Sequence, residues 1–169
     1  MKIKAISTNY SGHLFRSRLE ARWAVFFDHM GVRWEYEPEG YELSDGLWYL
    51  PDFYLPEYKC WVEVKPDRVP DSDLTKPETL ARDIGQLVLI AAGAPHEWHG
   101  FRVFGNHDYS CLSDRHYCAL APRGEIRFND DPRWQDCAGT TFPENHHSAF
   151  LDAVRAANSA RFEHGRKGN

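Results

Sequence analysis

The chain has no apolar run long enough to span a bilayer, and its first seven residues, MKIKAIS, lack the long apolar core of a secretion signal. A cytoplasmic protein with no membrane partner is the expectation. Cysteine is scarce, with four residues at irregular spacing. In that compartment they read as reduced thiols, which excludes a disulfide framework as the source of stability. There is no internal repeat, no glycine-rich loop to cradle phosphate and no Ser/His/Asp arrangement legible from spacing. Nor is there an excess of basic charge: 20 Lys and Arg face 25 Asp and Glu, a net charge of −5 with histidine neutral. That balance argues against a scaffold protein that coats nucleic acid regardless of sequence, since such binders are basic throughout.

What is present suits a packed globule. At 169 residues, 42% apolar and 14% aromatic, the chain can bury one core of its own. Charge is unevenly spread. Residues 1–33 carry six basic side chains against two acidic, 34–150 ten against twenty-one, and 151–169 four against two. An acidic protein of this kind can still meet a polyanion through a local patch, the more so if a metal ion neutralises its acids.

Periodicity outlines the elements. A short strand is expected at 3–6. Residues 17–30 predict a helix, with Leu19, Trp23, Phe26 and Met30 at helical intervals, Gly31 as the stop, and Ser17 and Glu20 as a capping box. Arg16, Arg18 and Arg22 surround the start of that helix, where free amides already favour anions, and are the first candidates for phosphate contacts. A solvated charged face is the plainer reading of each. Residues 32–36 alternate as a strand, which 41–43 resume. A polar loop at 67–76 leads to a helix at 77–84 with proline at its start and Gly85 after it, from which Lys76 and Arg82 would add phosphate contacts. Residues 87–92 read as a buried strand, 101–104 as another, 117–128 as a hairpin about Pro122-Arg123-Gly124, and 146–162 as an amphipathic helix packed on the core.

The chemistry concentrates in 49–66, YLPDFYLPEYKCWVEVKP. Strand alternation puts Trp61, Glu63 and Lys65 on one face and Cys60, Val62 and Val64 on the other. Residues 50–55 predict a second strand, with Pro56-Glu57 as the turn. A hairpin folded about residues 57 and 58 sets Asp52 opposite Glu63, because cross-strand partners share a constant index sum. Two carboxylates so close repel unless a cation lies between them, and a hard, oxygen-seeking ion such as Mg²⁺ suits that need.

These residues resemble the PD-(D/E)xK nuclease superfamily. Pro51-Asp52 followed by Glu63-Val64-Lys65 after a short hairpin looks like its signature, and Glu20 in FRSRLE looks like its N-terminal acid. The resemblance covers 14 to about 92. It implies an α/β (α+β) fold with a restriction-endonuclease-like core, αβββαβ, in which helices flank a central mixed sheet. That core would occupy 1–95, and 96–169 would add a hairpin and helix packed on the same domain. It further implies an endonuclease that hydrolyses phosphodiester bonds in DNA with Mg²⁺ or Mn²⁺. Asp52 and Glu63 would hold the metal, Glu20 would support it directly or through water, the Val64 carbonyl would complete the shell, and Lys65 would act on the attacking water. The RSxLE form is similar to phage and mobile-element endonucleases. It points to a bacterial or phage-infected cell, to branched or junction DNA as one candidate substrate, and to a homodimer, since resolvases cut two strands symmetrically.

Plainer readings stand beside these. Glu20 as a helix cap is compatible with Glu20 at a metal. Glu63 and Lys65 read alone are an exposed ion pair worth under about 1 kcal/mol. The same fold also serves non-catalytic nucleic-acid- or protein-binding modules. His107, Cys111, His116, Cys118 and Cys137 lack the paired C-x2-C steps of a structural zinc site, so free thiols are expected.

Overall fold

The first helix forms where the capping pattern places it. In the computed structural model, which describes residues 5–96, 101–105, 117–121, 125–128 and 144–162, α1 runs Arg18–Met30. Ser17 is extended, and its Oγ accepts the Glu20 amide at 3.2 Å. At the far end Gly31 turns left-handed at φ 67°, and its N–H and that of Val32 close on the Asp28 and Phe27 carbonyls. The Val32 backbone is therefore spent on the cap, which shortens the expected strand at 32–36 to β3, Glu35–Tyr36.

Two further expectations are revised near the N-terminus and the ribbon. Residues 1–4 lie outside the described residues, and 5–7 form no strand. A hairpin of β1, Thr8–Tyr10, and β2, His13–Phe15, precedes α1 instead. Residues 41–43 do not resume β3. β4, Tyr41–Glu42, pairs with β5, Trp48–Tyr49, as a separate two-stranded ribbon. Its turn is pinned to the next helix by the Ser44 amide on Asp83 Oδ2 at 2.8 Å.

β6, Phe53–Leu55, and β7, Cys60–Lys65, form the expected hairpin. Phe53 opposes Val62 and Leu55 opposes Cys60, the register anticipated from the index sum, although Pro51 and Asp52 stay outside the strand. The loop at 67–76 is partly ordered as a 3-10 turn, Asp71–Asp73, and α2 begins early, at Thr75–Ile84, before Gly85 ends it. α2 crosses over to β8, Leu87–Ala92, which lies parallel to β7. β9, Phe101–Phe104, adds antiparallel to β8, followed by β10, Tyr117–Ala121, and β11, Glu125–Phe128. Among the described residues the main sheet is thus seven-stranded and mixed, in the order β11-β10-β9-β8-β7-β6-β3.

Alternation sends successive residues of β7 to two cores. Cys60 and Val62 join Phe15, Trp23, Phe27, Phe53 and Leu89 beneath α1 and α3, Glu144–Ser159, while Trp61 joins Leu80, Ala81 and Val88 beneath α2. The chain is accordingly a mixed α+β protein with helices on both faces of a central mixed sheet. Strands β9 to β11 extend that same sheet, and α3 packs on α1 through the edge-on pair Phe26 and Phe150 at 5.6 Å. His107, Cys111, His116 and Cys137 lie outside the described residues, and of Cys118 only its place in β10 is described. Among the described residues no helix is long and apolar enough to cross a membrane.

Candidate functional site

β7 outlasts β6, and the site occupies the difference. Beyond the Phe53–Val62 pair the amides of β7 have no β6 backbone to meet, and Asp52 fills the gap: its Oδ2 accepts the Val64 N–H at 2.7 Å. That bond fixes the carboxylate, which is 3% exposed, beside the buried Glu63. Glu63 Oε1 accepts from Lys65 Nζ at 2.8 Å, and the buried Tyr49 hydroxyl faces the same carboxylate. Both partners are largely shielded, with Glu63 6% exposed and the Lys65 side chain 21%, so the reading of an exposed surface pair is corrected. The amine points at the acid, not into bulk solvent.

Glu20 arrives from the first turn of α1 and is buried. Its Oε1 accepts the Ser17 hydroxyl at 2.7 Å, and its Oε2 accepts the Tyr36 hydroxyl at 2.6 Å and the Arg16 amide at 3.1 Å. The Glu20 carboxylate thus meets Ser17 through the hydroxyl, and the backbone amide that it reaches back to is that of Arg16. Burial, followed by the hydrogen bond to Glu20, raises the Tyr36 phenol above its ordinary range, so Tyr36 serves Glu20 as a neutral donor.

Asp52 senses both neighbouring acids. Burial first, then the charges of Glu63 and Glu20, push the Asp52 carboxyl well above the usual carboxylate range. The Val64 amide and the Arg16 guanidinium pull the other way without prevailing. A carboxyl raised in the folded state contributes stability in full below its unfolded pKa and loses it as pH rises through the folded one. In metal-free buffer the melting temperature should accordingly fall as pH is raised from below the ordinary carboxylate range to above it. The Asp52→Asn variant should lack that part of the slope, and calorimetry of the two proteins across pH measures the difference.

Sequence spacing did not reveal three neighbours of this cluster. Arg16 Nη2 donates to Asp52 Oδ1 at 2.7 Å, and its Nε pairs with Glu37. Tyr49, from β5, buries its hydroxyl against Glu63, and burial first, then the Glu63 charge and hydrogen bond and the Asp52 charge, raise the phenol above its ordinary range. Tyr36 and Tyr49 resemble any strand residue in sequence, and only the tertiary fold brings them here.

The proposed phosphate-contacting residues are dispersed. Arg16 is engaged as above, and Arg18 and Arg22 lie partly buried on α1, with Arg22 Nε enclosed and lacking a hydrogen-bond partner. Lys76 Nζ donates to the Trp48 carbonyl at 3.0 Å, and exposed Arg82 leans on Thr79 Oγ1 at 3.4 Å.

The donor set fits a hard cation: buried carboxylate oxygens on Asp52 and Glu63, pressed close enough for Asp52 to feel the Glu63 charge. Among the described residues no group of three His, Cys, Asp or Glu side chains is arranged to hold a metal ion as it stands. Glu20 is turned into its cap, and Arg16 covers Asp52 Oδ1. No family model, curated protein or solved structure matches the chain.

Proposed function

We propose that this protein is a metal-dependent endonuclease that hydrolyses phosphodiester bonds in DNA, with branched or junction DNA as one candidate substrate. One observation carries the reading. Three buried carboxylates gather around Asp52: Asp52 itself just before β6, Glu63 from β7 and Glu20 from a helix start, the last two both within electrostatic reach of Asp52, with the Lys65 amine alongside. Support also comes from the element order, α1, then β3, β6 and β7, then α2 crossing to parallel β8, which is that of a restriction-endonuclease-like αβββαβ core.

Asp52 and Glu63 would hold Mg²⁺ or Mn²⁺, with Glu20 supporting it directly or through water and the Val64 carbonyl completing the shell. When bound, such an ion supplies hydroxide near neutral pH and offsets charge on the oxygens of the transition state. The protein's own part is orientation. Val64 N–H fixes the Asp52 plane, and Lys65, held at 2.8 Å by Glu63, stands ready to position the attacking water and to counter developing negative charge. Arg16, Arg18, Arg22, Lys76 and Arg82 remain the candidate phosphate contacts, and a homodimer and a cytoplasmic setting belong to the same proposal.

The test is incubation of purified protein with Mg²⁺ or Mn²⁺ and a panel of linear, flapped and four-way DNA. Cleavage of any member that EDTA prevents is the expected result. Absence of cleavage across the panel, with no rise in melting temperature on adding either ion, would leave the second reading: a non-catalytic nucleic-acid- or protein-binding module. The observation that favours that reading is Arg16 lying on Asp52.

A further inference from the structure

Asp52 presents two oxygens, and they have different company. Oδ2 is bound to the Val64 amide, part of the chain's own framework. Oδ1 is bound to Arg16 Nη2 at 2.7 Å, and Arg16 approaches from the surface: its side chain is 55% exposed while that of Asp52 is 4% exposed. The buried acid therefore meets a cation that can leave into water without unpacking the core. The backbone of Arg16 is fixed independently, since its amide donates to Glu20 Oε2 and to the Tyr36 hydroxyl, each at 3.1 Å. The root of the side chain stays put, while its half-exposed guanidinium is shared between Asp52 and, through Nε, Glu37, so that a competing anion has to displace Asp52 from the Nη2 end.

If Arg16 leaves, Asp52 Oδ1 is uncovered within reach of the Glu63 charge, and the two buried carboxylates lose the cation between them and solvent. Such a pair is costly without a replacement cation. A guanidinium forks readily onto phosphate oxygens, so a phosphodiester near the site competes with Asp52 for it.

We infer that Arg16 is the resident counter-cation of Asp52 in the metal-free protein, and that a phosphate group drawing it away opens Asp52 Oδ1 to a divalent ion. This rests on the metal-site reading above and adds a regulation to it: polyanion and metal bind with positive coupling through one side chain. Linkage requires the coupling to be reciprocal.

The experiment follows Mn²⁺ binding by calorimetry, with the wild type and Arg16→Ala, each with and without a duplex oligonucleotide whose phosphorothioate linkages resist hydrolysis. For the free proteins, Arg16→Ala should bind Mn²⁺ roughly tenfold tighter, within the range usual for coupled sites. The oligonucleotide should tighten Mn²⁺ binding to the wild type by a similar factor and leave Arg16→Ala unchanged. Equal Mn²⁺ affinities, unaffected by oligonucleotide, would overturn the coupling while leaving the metal site standing. Absence of Mn²⁺ binding in every case would remove the metal reading itself. A second measurement needs no variant: the Nε–H resonance of Arg16 in the wild type should shift as Mg²⁺ fills the site. Saturation with that resonance unmoved sinks the inference even if the alanine variant fails to fold.

Discussion

Replacing Asp52 by asparagine should abolish hydrolysis while leaving the metal-free protein at least as stable as the wild type. The loss of rate should reach about three orders of magnitude, the scale of removing several kcal/mol of transition-state stabilisation. Stability should hold for a specific reason. The asparagine carbonyl oxygen can still accept the Val64 N–H, and removing the charge relieves a buried carboxylate pressed by Glu63 and Glu20. What is lost is the attraction to Arg16, a half-exposed partner whose contribution solvent screens, and Arg16 keeps Glu37. Melting in EDTA and turnover in Mg²⁺ separate the two effects. If Asp52 holds the proposed metal, the wild type should gain thermal stability from Mn²⁺ and the variant should not. A variant that cuts DNA as fast as the parent would remove Asp52 from the chemistry.

The second large effect falls on the core. Trp23→Ala should cost about 3–5 kcal/mol, the usual range for deleting a buried aromatic ring. Trp23 is fully buried, its ring lies 5.2 to 5.7 Å from those of Phe26, Phe27 and Phe101, and its Nε1 donates to the Gly93 carbonyl at 2.9 Å. For a protein held together by about 5–15 kcal/mol, that is a large fraction of the total. Trp23→Phe should cost much less, since it keeps most of the filling and forfeits chiefly the hydrogen bond, about 1 kcal/mol. Urea titrations of the three proteins read this directly, and equal midpoints would show that the ring does not carry the α1–sheet contact.

The parts of this molecule that depend on neighbours in sequence were legible before any coordinates. Ser17, Glu20 and Gly31 announced both ends of α1, and the turn at Pro56 set the register in which Phe53 meets Val62 and Leu55 meets Cys60. Residues 87–92 and 101–104 matched β8 and β9 because continuous or alternating apolar runs need no distant partner to be recognised. Legibility failed where pairing is decided by contacts far along the chain. Tyr41 and Glu42 alternate like any strand, and nothing local says that they turn away from β3 to pair with Trp48 and Tyr49. The same limit hid Tyr36 behind Glu20 and Tyr49 behind Glu63. It also concealed Arg16, read as a phosphate ligand from its place at a helix start, whose first partner is an acid 36 residues away.

One consequence follows from the way β9 completes the sheet. β8, LVLIAA, is an inner strand only because β9 lies antiparallel along it, and Trp23 reaches across to Phe101 from the first half of the chain. A fragment ending at residue 95 would carry all four proposed catalytic side chains yet leave that strand with one row of amides and carbonyls unmatched on an apolar, uncharged ribbon. Such edges recruit one another between molecules. The half that holds the carboxylate cluster is therefore no detachable module: expressed alone it should precipitate, and its solubility depends on β9, which lies outside that cluster.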